Sequence, residues 1–231
     1  IIYNQEDNRL RDLSITQEYM ICTVNNKGAL PAANPKAGVC LVVGGLLELQ
    51  LEQCISMDDK KVVTVCAELP ERMFYLKPLY DVIHQGKPMK AQKIVETYVS
   101  SFTSKKLNML LDALMESLKA ADVVEPVKAG LFGNKEGYAP KKEVITGIIE
   151  KIRAELLEDG ELSEDILALT ILLDKSGQLK EYFSKFEQKE LKGKLNAIRK
   201  SKTGTTVKDL LWYIDSLDAS IMISTMISST M

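Results

Sequence analysis

The sequence predicts a mainly α-helical protein. Amphipathic helices are expected to pack around one central hydrophobic helix, with a small β-hairpin near 49–66 and a second hairpin near 123–139. Three observations lead there. The stretch Pro35–Leu49, PKAGVCLVVGGLLEL, is apolar in every direction of a helical wheel, and such a helix must be covered on all sides. From Leu76 onward, apolar residues recur mostly at helical spacing. In two places, near 49–66 before Leu76 and near 123–139 after it, short β-type segments separated by turn residues occur instead.

Ser14 and Gln17 have the spacing of a capping box, which starts a short helix running to about Thr23. Asn25-Asn26-Lys27-Gly28 turns the chain, and a loop through Pro31 and Pro35 leads into the central stretch. That stretch falls short of the roughly 20 apolar residues a membrane span needs, so it reads as an interior helix of a soluble protein. A buried strand is the competing reading, because Val39–Val43 is rich in β-branched residues. The helical segments around it favour helix. Gly44 and Gly45 each cost a helix about 1 kcal/mol relative to Ala, which implies another backbone packed closely against them. Leu47, Leu49 and Leu51 alternate with polar residues and read as a strand, returning after Asp58–Lys61 through Val62–Cys66.

Helices follow near 76–85, 89–101 and 104–121, the last with Leu107, Leu110, Leu111, Leu114 and Leu118 in one stripe. Val123–Gly130 and Leu131–Ala139 form the second hairpin, with Gly133–Gly137 at its tip and Pro140 at its end. A helix over 141–158 buries Val144, Ile148 and Ile152. Ser163 caps the next, whose Ile166–Leu173 run is again apolar nearly all round and which Gly177 ends. A short helix carries Tyr182 and Phe183, a further helix spans 187–200, and a last one spans about 206–229. Lys208, Asp209, Asp215 and Asp218 interrupt that last helix too often for a membrane anchor.

Composition excludes several functions. The net charge of −2 gives no bulk attraction to polyanions, so any such role must come from a local patch. Cys22, Cys40, Cys54 and Cys66 lack CxxC spacing and read as buried free thiols of a reducing compartment. The polar start Ile1–Asp12 does not resemble a secretory leader. His84, the one histidine, belongs at a helix end and leaves little scope for metal or Cys–His chemistry. There is no GxSxG, P-loop, HExxH or dinucleotide glycine pattern, so neither an enzyme nor a cofactor is expected.

The order of these pieces resembles the Golgi phosphoprotein 3-like family: LSITQEYMICTV, the buried helix, the two short strands, GLFGNKEGYAP, KKEVITGIIEKIRAEL and ILALTILLDKSGQLKEYF. The resemblance implies a single domain over 1–231 and a hairpin that protrudes. It also implies a cytoplasmic protein, peripheral at membranes, that binds phosphatidylinositol 4-phosphate and a protein partner. The family's lipid site is not matched residue by residue. The loop Asn25–Lys36 has no aromatic, Gly38 stands where a basic residue belongs, and Asn108 and Leu111 replace a cation pair. Glu48-Leu49-Gln50 replaces an Arg-Gly-Arg expected after the buried helix. The cations left nearby are Lys36, Lys105 and Lys106, which form a candidate point-charge site for an anionic lipid headgroup.

The hairpin tip, Leu131-Phe132-Gly133, presents apolar residues on a projection and predicts a homo-oligomer. The basic run from Lys189 to Lys202 holds six bases against Glu190 alone. It reads as the solvated face of a packed helix, with contact to an anionic membrane as the alternative. Two other functions are weighed. One is a cytoplasmic helical scaffold that binds protein and no lipid. The other is a winged-helix nucleic-acid binder, ranked last because Asp112, Glu116 and Asp122 would face phosphates.

Overall fold

The computed structural model describes residues 13–99, 104–129, 135–158 and 160–200. It contains nine α-helices and two small antiparallel sheets among those residues. The capping box forms as expected. Ser14 Oγ accepts from the Gln17 backbone N–H at 3.3 Å, and Gln17 Oε1 accepts from the Ser14 N–H at 2.9 Å. It opens helix α1, Ile15–Thr23, every residue of which is buried.

Helix α2 is Pro35–Leu51, with proline in its first turn, where a missing N–H costs nothing. All residues from Ala37 to Leu49 are buried. Helices α1, α3 (Lys77–His84), α4 (Ala91–Val99) and α7 (Glu164–Lys175) surround it. This all-round cover is what a uniformly apolar helix requires. Leucine side chains do most of the filling at its glycines, rather than a neighbouring backbone. A Cβ on Gly45 would lie 2.8 Å from Leu79 Cδ2, and one on Gly44 3.3 Å from Leu172 Cδ1.

The strand expected at Leu47–Leu51 is helical, and the first strand, β1, begins only at Ile55 and ends at Met57. Alternation misled because Glu48, the polar residue between Leu47 and Leu49, is itself only 6% exposed. The pattern therefore did not report a solvent face. Strand β1 pairs with β2, Val62–Val65, across a turn in which Asp58 Oδ1 accepts from the N–H groups of Lys60 and Val62. A third strand, β3 at Met89–Lys90, pairs with β2, so α4 starts two residues later than periodicity suggests.

A 3-10 turn at Glu71–Leu76 leads into α3, which ends at His84 with the imidazole stacked on Tyr80 at 5.4 Å. Helix α5, Lys105–Ala120, buries Leu110, Leu114 and Leu118. Strands β4 (Val124–Ala129) and β5 (Lys135–Pro140) form the second hairpin, in register from Val124 opposite Pro140 to Ala129 opposite Lys135. Helix α6, Lys142–Ile152, relaxes into a π-helical turn at Arg153–Leu157. Ser163 caps α7, whose Ile166–Leu173 run is fully buried, as its composition predicts. Helices α8, Leu179–Tyr182, and α9, Lys185–Lys200, follow. Cys22, Cys40 and Cys54 are buried free thiols, whereas Cys66, at the end of the β1–β2 hairpin, is exposed. The expected hairpin tip Leu131-Phe132-Gly133 and the expected helix 206–229 lie outside the described residues.

Candidate functional site

The amino ends of α2 and α5 meet. A Cβ on Gly38 would lie 3.1 Å from Leu107 Cδ2 and 3.7 Å from Leu30 Cδ1, so Leu107 and the loop before α2 close over the start of the buried helix. That loop is pinned on its other side. Gly28 has φ +74°, and a Cβ there would lie 1.9 Å from the Tyr138 carbonyl oxygen on β5. Only glycine lets the two backbones approach so closely.

Each of the predicted lysines lies in the first turn of one of these helices. Lys36 is the second residue of α2 and half-buried; Lys105 and Lys106 open α5 and are exposed. The two helix starts come together through Leu107 and Gly38, but the lysines do not share one pocket. Lys106 turns toward α3, where with Met109 it lines a cleft of about 590 Å³ opposite Pro78, Val82 and Met89.

The electrostatics of these ends are unusual for a helix. Neither first turn contains an acid, and neither Asn34 nor Ser104 makes a side-chain cap. Asn34 instead donates its amide to the Ser176 carbonyl at 2.8 Å. The helix dipole places partial positive charge at an amino end, so a lysine there is unfavourable by about 0.3–1 kcal/mol at low salt. Among the described residues no carboxylate pairs with Lys36, Lys105 or Lys106. At the positions where a phosphate site would need further cations, Gly38 has no side chain, Asn108 is exposed and neutral, and Leu111 packs against the core. Glu48-Leu49-Gln50 lies inside α2 rather than after it.

Periodicity missed a buried carboxylate at the other end of α2. Glu48 Oε2 accepts from the Thr16 N–H at 3.1 Å and the Thr16 hydroxyl at 2.6 Å, and Oε1 accepts from the Tyr75 hydroxyl. Burial outweighs these donors and pushes the Glu48 carboxyl pKa up from its ordinary value. A cleft of about 490 Å³ beside it is lined by Ser14, Gln17, Glu48, Arg72, Tyr75 and Asp165. Apart from Asp165, these groups are bonded to one another or to neighbouring side chains, including Arg72 to Glu52 and the Gln17 amide to Ser117 Oγ at 2.9 Å. The cleft is therefore a structural network. Its one sequence signal was an acid inside an apolar run; its partners lie far away along the chain.

Among the described residues no cluster of metal-ligating side chains occurs, and no helix is long and apolar enough to cross a membrane. Fold and surface together define a helical domain built on one enclosed helix, with a hairpin at its side and uncompensated lysines at two adjoining helix starts. A family model for Golgi phosphoprotein 3 (GPP34) matches residues 15–212, and the chain belongs to that family. No curated protein matches it.

Proposed function

We propose that this protein is a peripheral membrane adaptor that contacts anionic lipid headgroups weakly, through the lysines at the amino ends of α2 and α5. The observation that carries this reading is their placement. Lys36, Lys105 and Lys106 oppose their helix dipoles with no acid in either first turn, a cost that folding alone does not explain. Anionic headgroups at a bilayer surface would meet these ammonium groups one by one, beside helix starts that have no side-chain cap. Family membership supports a peripheral adaptor at the level of the family alone, without the headgroup contact or the residues.

The same residues argue for poor discrimination. Without a loop aromatic or a paired cation at Asn108 and Leu111, the contact consists of point charges on flexible stems. Such contacts are screened within about 8 Å at physiological ionic strength. Phosphatidylserine and phosphatidylinositol 4-phosphate should then bind alike, and both should weaken with salt.

Co-sedimentation tests the reading. The full chain is mixed with neutral, phosphatidylserine or phosphatidylinositol 4-phosphate vesicles at low and near-physiological salt, with duplex DNA as a parallel ligand. Binding to both anionic vesicles, reduced by salt, is expected. Phosphatidylinositol 4-phosphate binding that survives salt would mean a selective pocket. No vesicle binding would leave a protein-binding scaffold, and binding to DNA alone would favour a nucleic-acid protein.

A further inference from the structure

Helix α9 carries a second basic surface, from which Glu187 is drawn away while Glu190 stays on it. Leu191 and Leu195 face the core, with Ile198 partly buried beside them. Glu187 is drawn inward, accepting from Arg153 Nε at 3.0 Å and from the Ser184 N–H at 2.7 Å. These donors hold its carboxyl pKa down at about 2. Lys192 pairs with Asp174 on α7 at 3.3 Å. On the side away from the core, 100° per residue brings Phe186, Lys189, Glu190, Gly193, Ala197 and Lys200 into one stripe, and all six are exposed.

Phe186 is 69% exposed, more than any other large apolar side chain that stands in solvent among the described residues. It lies opposite the leucine face, so no rotation of the helix could bury it without exposing Leu191 and Leu195. Lys185 and Lys189 flank it and are exposed. An aromatic projecting from a basic helix face matches the chemistry of an anionic bilayer interface, where the ring enters the acyl boundary and lysines meet headgroups. Burial of the phenylalanine ring and the approach of each lysine to an anionic surface both favour partition.

We propose that the outward face of α9 is a second membrane-contact surface, with Phe186 as the interfacial anchor and Lys185, Lys189 and Lys200 as its cations, facing an anionic lipid surface. This rests on the peripheral-membrane reading above and completes it. Stable anchoring takes two weak signals rather than one, and two contacts that reach the same bilayer would reinforce each other through effective concentration.

Phosphatidylserine vesicles are titrated with the full-length wild type, Phe186→Ala, Lys185→Glu plus Lys189→Glu, and Lys105→Glu plus Lys106→Glu. Circular dichroism confirms that each variant is folded. Because Phe186 is exposed, its loss should leave the melting temperature unchanged and reduce vesicle partition about tenfold, the lower end of what burying its ring contributes. Partition should fall in the Lys185/Lys189 pair also. Wild-type partition in both α9 variants, with loss only in the Lys105/Lys106 pair, overturns this inference and leaves the reading above intact. Loss only in the α9 variants supports the α9 surface and removes the other site. A wild type that binds no anionic vesicle overturns both. If Phe186→Ala alters only the mass seen by light scattering, the face joins two copies and the membrane assignment is overturned.

Discussion

The two ends of helix α2 treat charge in opposite ways. At the carboxyl end, Glu48 is buried and each of its oxygens is engaged by Thr16 or Tyr75. At the amino end, Lys36 and its neighbours Lys105 and Lys106 sit against the helix dipoles without a paired carboxylate among the described residues. The first arrangement spends a charged group on architecture, since any change leaves partners unsatisfied in the interior. The second leaves charge available to something outside the fold. A group's partners, more than its type, separate a structural residue from a binding one.

The largest effect should come from breaking the enclosure that both ends share. Val43→Asp places an unpaired charge at a position that is fully buried, at a cost of several kcal/mol. Loss of the cooperative thermal transition is expected, measured by circular dichroism. A folded Val43→Asp protein would mean the helix has an unseen route to solvent.

Gly28→Ala should come next. Positive φ alone costs a non-glycine residue about 1–3 kcal/mol, and the Cβ would collide with the Tyr138 carbonyl. At roughly 2–4 °C per kcal/mol for a chain of this size, the melting temperature should fall by at least several degrees. A neutral result would detach the loop from β5 and, with it, the account of how the amino end of α2 is held.

Glu48→Ala strands the Thr16 and Tyr75 donors, at about 1–3 kcal/mol for each buried group left unpaired. Glu48→Gln keeps an acceptor and should cost less. The pair also differs in pH dependence. Burial raises the Glu48 pKa in the folded state, so its favourable contribution is complete below the ordinary 4.5 and is lost as pH rises through the higher folded value. Relative to wild type, Glu48→Gln should show a flatter loss of stability across that interval, measured by urea denaturation at stepped pH. Identical profiles would place the carboxylate in water.

The sequence made the enclosed helices legible because covering every side leaves a composition signal, as in Val39–Val43 and Ile166–Leu173. It made the start of α1 legible because a capping box is local. The end of α2 was not legible, because a buried, satisfied glutamate looks like a solvent-facing one. Strand β3 is two residues long, and its pairing with Val62 and Val63 has no local pattern. Lys36, Lys105 and Lys106 could be placed at helix starts from spacing alone. That those starts adjoin depends on Leu107 meeting Gly38, a contact between distant segments. The exposure of Phe186 and the inward turn of Glu187 likewise depend on how α9 docks.

The most direct test pairs two readouts on one protein, Lys105→Glu plus Lys106→Glu. Acids at the start of α5 complement its dipole, so stability should hold or rise by about 0.3–1 kcal/mol per position, and the melting temperature should not fall. Binding to phosphatidylserine vesicles at low salt should fall in the same samples. Stability kept and binding lost would confirm that these lysines serve a ligand rather than the fold. A lowered melting temperature with vesicle binding unchanged would contradict that claim.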